Sequence, residues 1–440
     1  MKLSALGRIA LATGIAVLTT AALPGTPATA APVKKKILPV LVEFSDASFQ
    51  FPEQVKASTP DTYFGAKKDS VSSFLSEVSR GQYTMVPAVK EKLIGPIKLD
   101  LTAGGCQHGE INKLTRAELT KRGLVEGKDY DSLSMVFPAQ KTNCPWAGLA
   151  TVPGGTTWIN LYGTASGLDV VGHELGHNLG FAHQGRLMCT GGKLTACKSD
   201  GTSAKSIMGG GGWLSGFSAP ELIRAGWLSG GTSLKVSKSG TYTLRPLHGT
   251  GSGTRALDIA LGKDRLVIEY RHAAGNLDAK IEGVHAYRVP NGAYGSSSMI
   301  DTTTKNKTPS NGEAANTDAI TTLTDKTNKV SVAVVSSGGG QARIKVALNG
   351  DSLSAIDAAP SKSATPTPSA ATPTPTASAS ASTDTEAVTD DSEAATESGS
   401  EELTAAGGRS TTLPLAAGGG AAVLAAGAGF LLLKRRRRRA

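Results

Sequence analysis

Aromatic side chains make up 5 % of the 440 residues, and the 53 glycines outnumber all of them together. Rings supply much of the apolar area that closes an interior, so only part of this chain can form a dense core. Two folded units plus tails is the expected count. Cysteine is scarce too, at four. That excludes a disulfide-dense scaffold, while an even number in an oxidising compartment suggests two bridges with three possible connectivities. Chain order favours Cys106–Cys144 and Cys189–Cys197. A net charge of +10 is present, but no basic stripe with interleaved aromatics accompanies it, which argues against nucleic acid as a partner.

The two ends have their own character. Lys2 and Arg8 precede a short apolar run, Ile9 to Leu18, and Ala28-Thr29-Ala30 offers small residues for cleavage before Ala31. Residues 1–30 are therefore expected to be a secretory signal peptide, and Ala31 to Lys36 leave no room for a sizeable pro-domain before the first strand. At the other end Leu415 to Leu433 carry no charge, and 19 residues at about 1.5 Å each reach roughly 28 Å, close to a bilayer core. Lys434 and Arg435 to Arg439 follow and mark the cytoplasmic side, so residues 413–440 are expected to anchor an outward-facing protein in a membrane. Leu413-Pro414-Leu415-Ala416-Ala417 resembles the sorting signal that sortases cut in Gram-positive surface proteins, and departs from it at Ala416 and Ala417, where Thr and Gly are expected. Residues 351–412 hold ten acidic and two basic residues among Ala, Ser, Thr and Pro. They form an expected disordered tether about 45 Å from end to end. Removing leader, tether and basic tail leaves the folded part at about +10, a charge suited to anionic wall polymers or acidic proteins.

Residues 173–183 read His-Glu-Leu-Gly-His-Asn-Leu-Gly-Phe-Ala-His. On a helix His173 and His177 stand one turn apart on one face, so both imidazoles can reach one ion. Glu174 leaves the helix beside the ion's open position. Gly180 lets the helix stop and the chain turn back, which delivers His183 as a third ligand. Three neutral nitrogens leave Zn²⁺ its charge and a vacant position, the arrangement that activates water against a peptide carbonyl. An accidental match at all five fixed positions arises in roughly one chain in 10⁵ of this composition.

This string matches the metzincin signature and is most similar to the gametolysin-type peptidases of that clan. The resemblance implies a methionine turn under the metal, and Ser206-Ile207-Met208-Gly209 stands where one is expected, with Met208 as a thioether platform. Four glycines, Gly209 to Gly212, follow where some metzincins carry a tyrosine, so the oxyanion stabiliser stays open. A thiolate blocking the zinc is the competing use of the cysteines, but such switches normally sit in a pro-segment.

The expected fold is α+β. A metzincin-like catalytic domain over 31–231, a mixed twisted sheet with a zinc-binding helix at Leu168 to Leu179, precedes an all-β, sandwich-like domain over 232–350. Strands are expected at Ile37 to Phe44, Ser132 to Phe137 and Thr156 to Leu161, and helices at Val71 to Val78, Leu114 to Leu124 and Ala219 to Trp227. The resemblance makes Thr156–Leu161 the edge strand that pairs with an extended substrate. His248, His272 and His285 lack ligand spacing and read as structural or surface residues. Two functions compete. One is a secreted, surface-anchored zinc endopeptidase with Glu174 as general base, acting on extracellular or wall-associated proteins. The other is a non-catalytic surface-binding protein with a structural or vestigial zinc site. Glu174 favours the first, because a structural zinc needs no acid beside it and usually has four protein ligands.

Overall fold

The computed structural model describes residues 32–303 and 319–358. The expected leader, all but the first residues of the tether, and the anchor lie outside them. Among the described residues no helix is long and apolar enough to cross a membrane.

A six-stranded sheet opens the fold. Its strands are β1 (Val33–Glu43), β2 (Tyr83–Pro87), β3 (Ile94–Lys98), β4 (Ser132–Pro138), β5 (Gly148–Ala150) and β6 (Thr156–Leu161). The order is β2-β1-β4-β6-β5, with β3 pairing the second half of β1. Both faces are covered, and the strands accordingly carry apolar residues at consecutive positions. Leu38, Val40 and Val42 of β1 enter one core, while Ile37 and Leu41 enter the other. Helix α3 (His108–Lys121) contributes Ile111 and Leu119 to the first. α1 (Pro52–Phe64), α2 (Val71–Val78) and α4 (Leu168–Asn178) pack into the second.

The edge strand differs from expectation. β6 lies inside the sheet, and β5 covers it in antiparallel register, Gly148 opposite Ile159 and Ala150 opposite Thr157. Three small-to-medium residues are too few to show alternation, so β5 leaves no strand signal in the sequence.

A seven-stranded sheet follows, in the order β8-β7-β14-β13-β12-β11-β9. Its members are β7 (Gly185–Met188), β8 (Lys198–Thr202), β9 (Ser233–Val236), β11 (Ala256–Leu261), β12 (Asp264–Arg271), β13 (Gly283–Val289) and β14 (Ser298–Asp301). Between β9 and β11, β10 (Gly240–Leu244) leaves to join β15 (Thr322–Asp325), β16 (Val330–Gly338) and β17 (Gln341–Ala347) in a four-stranded antiparallel sheet. Alternation assigns the faces. Leu266, Ile268 and Tyr270 of β12 share a core with Val332, Ile344 and Val346 of the smaller sheet. Val267 points the other way, into the core that holds α2, α4 and the short helix α5 (Ala219–Arg224). The chain immediately after His183 thus pairs, through β7, with β14 more than a hundred residues later.

Both disulfides join cysteines that are consecutive in the sequence, Cys106 to Cys144 across 38 residues and Cys189 to Cys197 across 8. The second closes a loop packed against β15, where Lys193 bridges to Thr324 and the Gly192 Cα approaches the Thr322 carbonyl.

Candidate metal centre

α4 is held on its outer side by Leu168, Val171 and Leu175, which enter the core, and its ending is set by glycine. Gly180 has φ +88°, the Gly180 N–H donates to the His177 carbonyl at 2.8 Å and the Phe181 N–H to the Gly176 carbonyl at 3.1 Å. This left-handed closure satisfies the last carbonyls of the helix and reverses the chain. His183 is then fixed from both sides. The Ala182 N–H donates to the Gly295 carbonyl at 2.7 Å, and the Gln184 N–H to the Met208 carbonyl at 3.1 Å.

The result brings His173, His177 and His183 together, with candidate ligand atoms all within 4.8 Å of one another. His173 Nδ1 lies 2.9 Å from the Ile207 carbonyl and His177 Nδ1 2.6 Å from the Phe181 carbonyl. A carbonyl can only accept, so each Nδ1 carries the proton and each Nε2 presents a lone pair. Those two Nε2 atoms, and both carboxylate oxygens of Glu174, are buried without a protein partner. Buried polar atoms are normally satisfied. Converging lone pairs of this kind fit a nitrogen-ligated divalent ion, and the Nδ1 bonds are the outer-shell contacts that orient such ligands. Burial, followed by the charge of His177, holds His173 down to about 3, and burial holds His177 down to about 4. Both rings are therefore in the neutral, ligating form. Burial pushes the Glu174 carboxyl up to about 8, and a cation beside it would favour the ionised form again.

Met208 is fully buried beneath α4. A Cβ on Gly176 would lie 2.4 Å from its sulfur, so the thioether reaches the helix backbone only because residue 176 has no side chain. The turn is anchored by Ser206, whose hydroxyl donates to Glu221 Oε2 at 2.8 Å while the Ser218 N–H reaches the same oxygen at 2.6 Å.

Several contributors escape a sequence reading. Gly148 of β5 passes Glu174 so closely that a Cβ there would lie 2.3 Å from Oε1 and 2.6 Å from Cγ. Gly148→Ala is expected to displace the carboxylate and lower kcat by about 10²-fold with metal content unchanged, as read by steady-state kinetics and metal analysis; unaltered kcat would show that the contact is dispensable. Asn178 Nδ2 donates to the Thr151 and Thr156 carbonyls at 3.0 and 3.1 Å, tying the end of α4 to the β5–β6 hairpin.

The deepest contribution comes from β12. Arg271, fully buried, contacts Asp278 Oδ1 at 2.5 Å and Glu269 Oε1 at 2.9 Å, and donates to the Lys205 carbonyl at 2.9 Å and to the Ser215 carbonyl. Glu269 also accepts from the Ala219 N–H at 2.6 Å and the Tyr287 hydroxyl at 2.7 Å. Two side chains of β12 thereby hold the chain on either side of the methionine turn, at Lys205 before it and at Ser215 and Ala219 after it. His248 and His285 are buried near this network, with His248 Nδ1 2.8 Å from Asp278 Oδ2, and His272 pairs with Glu282 at the surface. None of the three joins the metal centre.

The family model of the gametolysin peptidase M11 family matches residues 104–246. No curated protein matches the chain. Among solved structures, a chaperone-substrate complex is similar at 15% identity over 43% of this chain, with TM-score 0.25, and the present chain spans 30% of its length. Wild-type OgpA from Akkermansia muciniphila is similar at 10% identity over 63% of this chain and 94% of its own, with TM-score 0.31. Its catalytically inactive form, in complex with an O-glycopeptide, gives 10%, 63%, 89% and 0.27. The family match spans the three histidines, Glu174 and Met208, and it supports a peptidase.

Proposed function

We propose that this chain is a zinc-dependent endopeptidase in which His173, His177 and His183 hold the metal and Glu174 is the general base. The observation that carries the reading is the set of buried, unpartnered Nε2 atoms of His173 and His177 next to the unpartnered Glu174 carboxylate. Bound there, zinc supplies Lewis acidity that brings the pKa of a water towards ~7 and polarises a carbonyl. The rest is done by the chain. Glu174 takes the proton of the attacking water and returns it to the departing amine. β5 offers backbone groups along its outer side, which has no partner strand among the described residues, and an extended peptide can pair there antiparallel or parallel to the strand. Gly148 keeps that strand close to Glu174. Protein or peptide is therefore the substrate class.

The same proposal includes export through residues 1–30 and surface retention through 413–440, both supported by sequence alone. The test uses the full chain. A strong chelator is expected to remove one zinc per chain and all cleavage of an unfolded protein substrate, and stoichiometric Zn²⁺ to restore both. Cleavage that persists after the metal is gone would overturn the assignment.

A further inference from the structure

Away from the metal centre, the end of α2 and the loop between β10 and β11 enclose a cleft of about 910 Å³ whose walls include Glu77, Arg80, Arg245, Thr250, Gly251 and Ser252. The loop is shaped from within by Arg255, which is fully buried and has no carboxylate partner among the described residues. Its guanidinium donates to the carbonyls of Pro246, Thr250 (2.8 Å) and Gly251 (2.6 Å). A trans peptide sets its N–H opposite its C=O. Drawing the Thr250 and Gly251 carbonyls inward therefore turns the N–H groups of Gly251 and Ser252 outward, away from Arg255. No protein acceptor meets either one among the described residues. Gly251, at φ +81°, permits the turn, and consecutive N–H groups presented this way form an anion-binding nest.

The charge agrees. Arg80 spends two donors on the Trp227 and Leu247 carbonyls and keeps others, and Arg245 is exposed at the rim. Burial, then the charges of Arg80 and Arg245, push Arg255 down to about 10, which reflects three guanidiniums gathered in one place. The acid at the cleft, Glu77, already accepts from the Asn276 N–H at 3.1 Å and its side-chain amide at 3.4 Å.

We propose that this cleft is a second binding site, which takes a phosphate or sulfate group carried on a larger molecule through Arg80, Arg245 and the N–H groups of Gly251 and Ser252. A tetrahedral oxyanion presents acceptors in several directions at once, as donors on two walls require, whereas a carboxylate presents two in one plane. The space far exceeds one ion, so the group arrives attached to something.

The test is calorimetric titration of the full chain with inorganic phosphate, and separately with sulfate, at constant ionic strength balanced by chloride. Saturable binding is expected, weakened about tenfold in Arg245→Ala and in Arg80→Gln. Arg245 is exposed, so its removal leaves the fold intact, and an unchanged melting temperature verifies this. Because phosphate can also meet the three histidines, the difference between wild type and Arg245→Ala is the reading. Tighter phosphate than sulfate assigns a phosphorylated ligand, and the reverse a sulfated one; either supports the site. No saturable heat above the chloride control, or equal affinity in wild type and both variants, would overturn it.

Discussion

Glu174→Gln is expected to lower kcat by roughly 10²–10⁴-fold while zinc content and melting temperature stay near wild type. The amide keeps the shape of the side chain, which is buried against β5, but it cannot accept the proton of the attacking water. Removing the acid also removes a group whose ionised form is disfavoured by burial, so stability should not suffer. Single-turnover cleavage of a labelled protein substrate, with metal analysis of the same sample, separates the two effects. Wild-type turnover in the variant would exclude Glu174 as the base and leave the three histidines with a different task.

The second large effect is expected at Arg271. Arg271→Met leaves Glu269 and Asp278 buried without their cation, and breaking a buried pair from one side costs about 3–5 kcal/mol. For a chain of this size the melting temperature should fall on the order of 10 °C. Zinc affinity should fall as well, because the Lys205 and Ser215 carbonyls lose their donor and the Ile207 carbonyl that orients His173 sits between them. The acid limb gives an independent signature. Burial raises the Asp278 pKa, but the charges of Arg271 and His248 outweigh it and set it at about 2. A depressed carboxylate contributes stability that is present above its unfolded pKa of ~3.9 and is lost as pH falls through the folded value. In Arg271→Met that depression shrinks, so urea unfolding between pH 4 and pH 2 should show a flatter loss than wild type. Equal melting temperature, zinc affinity and acid limb in the two proteins would exclude the clamp.

What was legible in the sequence is what local geometry dictates. His173 and His177 follow from helix periodicity, His183 from a glycine placed to end that helix, and the disulfides from pairing each cysteine with the next one in the sequence. Helix ends were less so. α3 starts at His108, several residues before the apolar run at Leu114, because no side chain caps it to announce the start, and α5 stops at Arg224 as Gly226 takes φ +76°. β5 is too short to have a pattern. Glu269 and Arg271 were hidden for a different reason. Alternating polar residues on a strand ordinarily signify a watered face, and here that face meets a turn 66 residues away in the chain. No local rule reaches that far.

The central strands of the seven-stranded sheet, β12 and β13, are buried on both faces, since helices cover one and the four-stranded sheet the other, while the outer strands β8 and β9 reach solvent. A cut near residue 231 divides this sheet, because β7 and β8 come before it in the chain and β9 and β11 to β14 after it. A recombinant fragment ending near residue 231 would expose β7 and β8 as orphaned ribbons, and a calorimeter should register the peptidase half and the β half of the intact protein melting as one event.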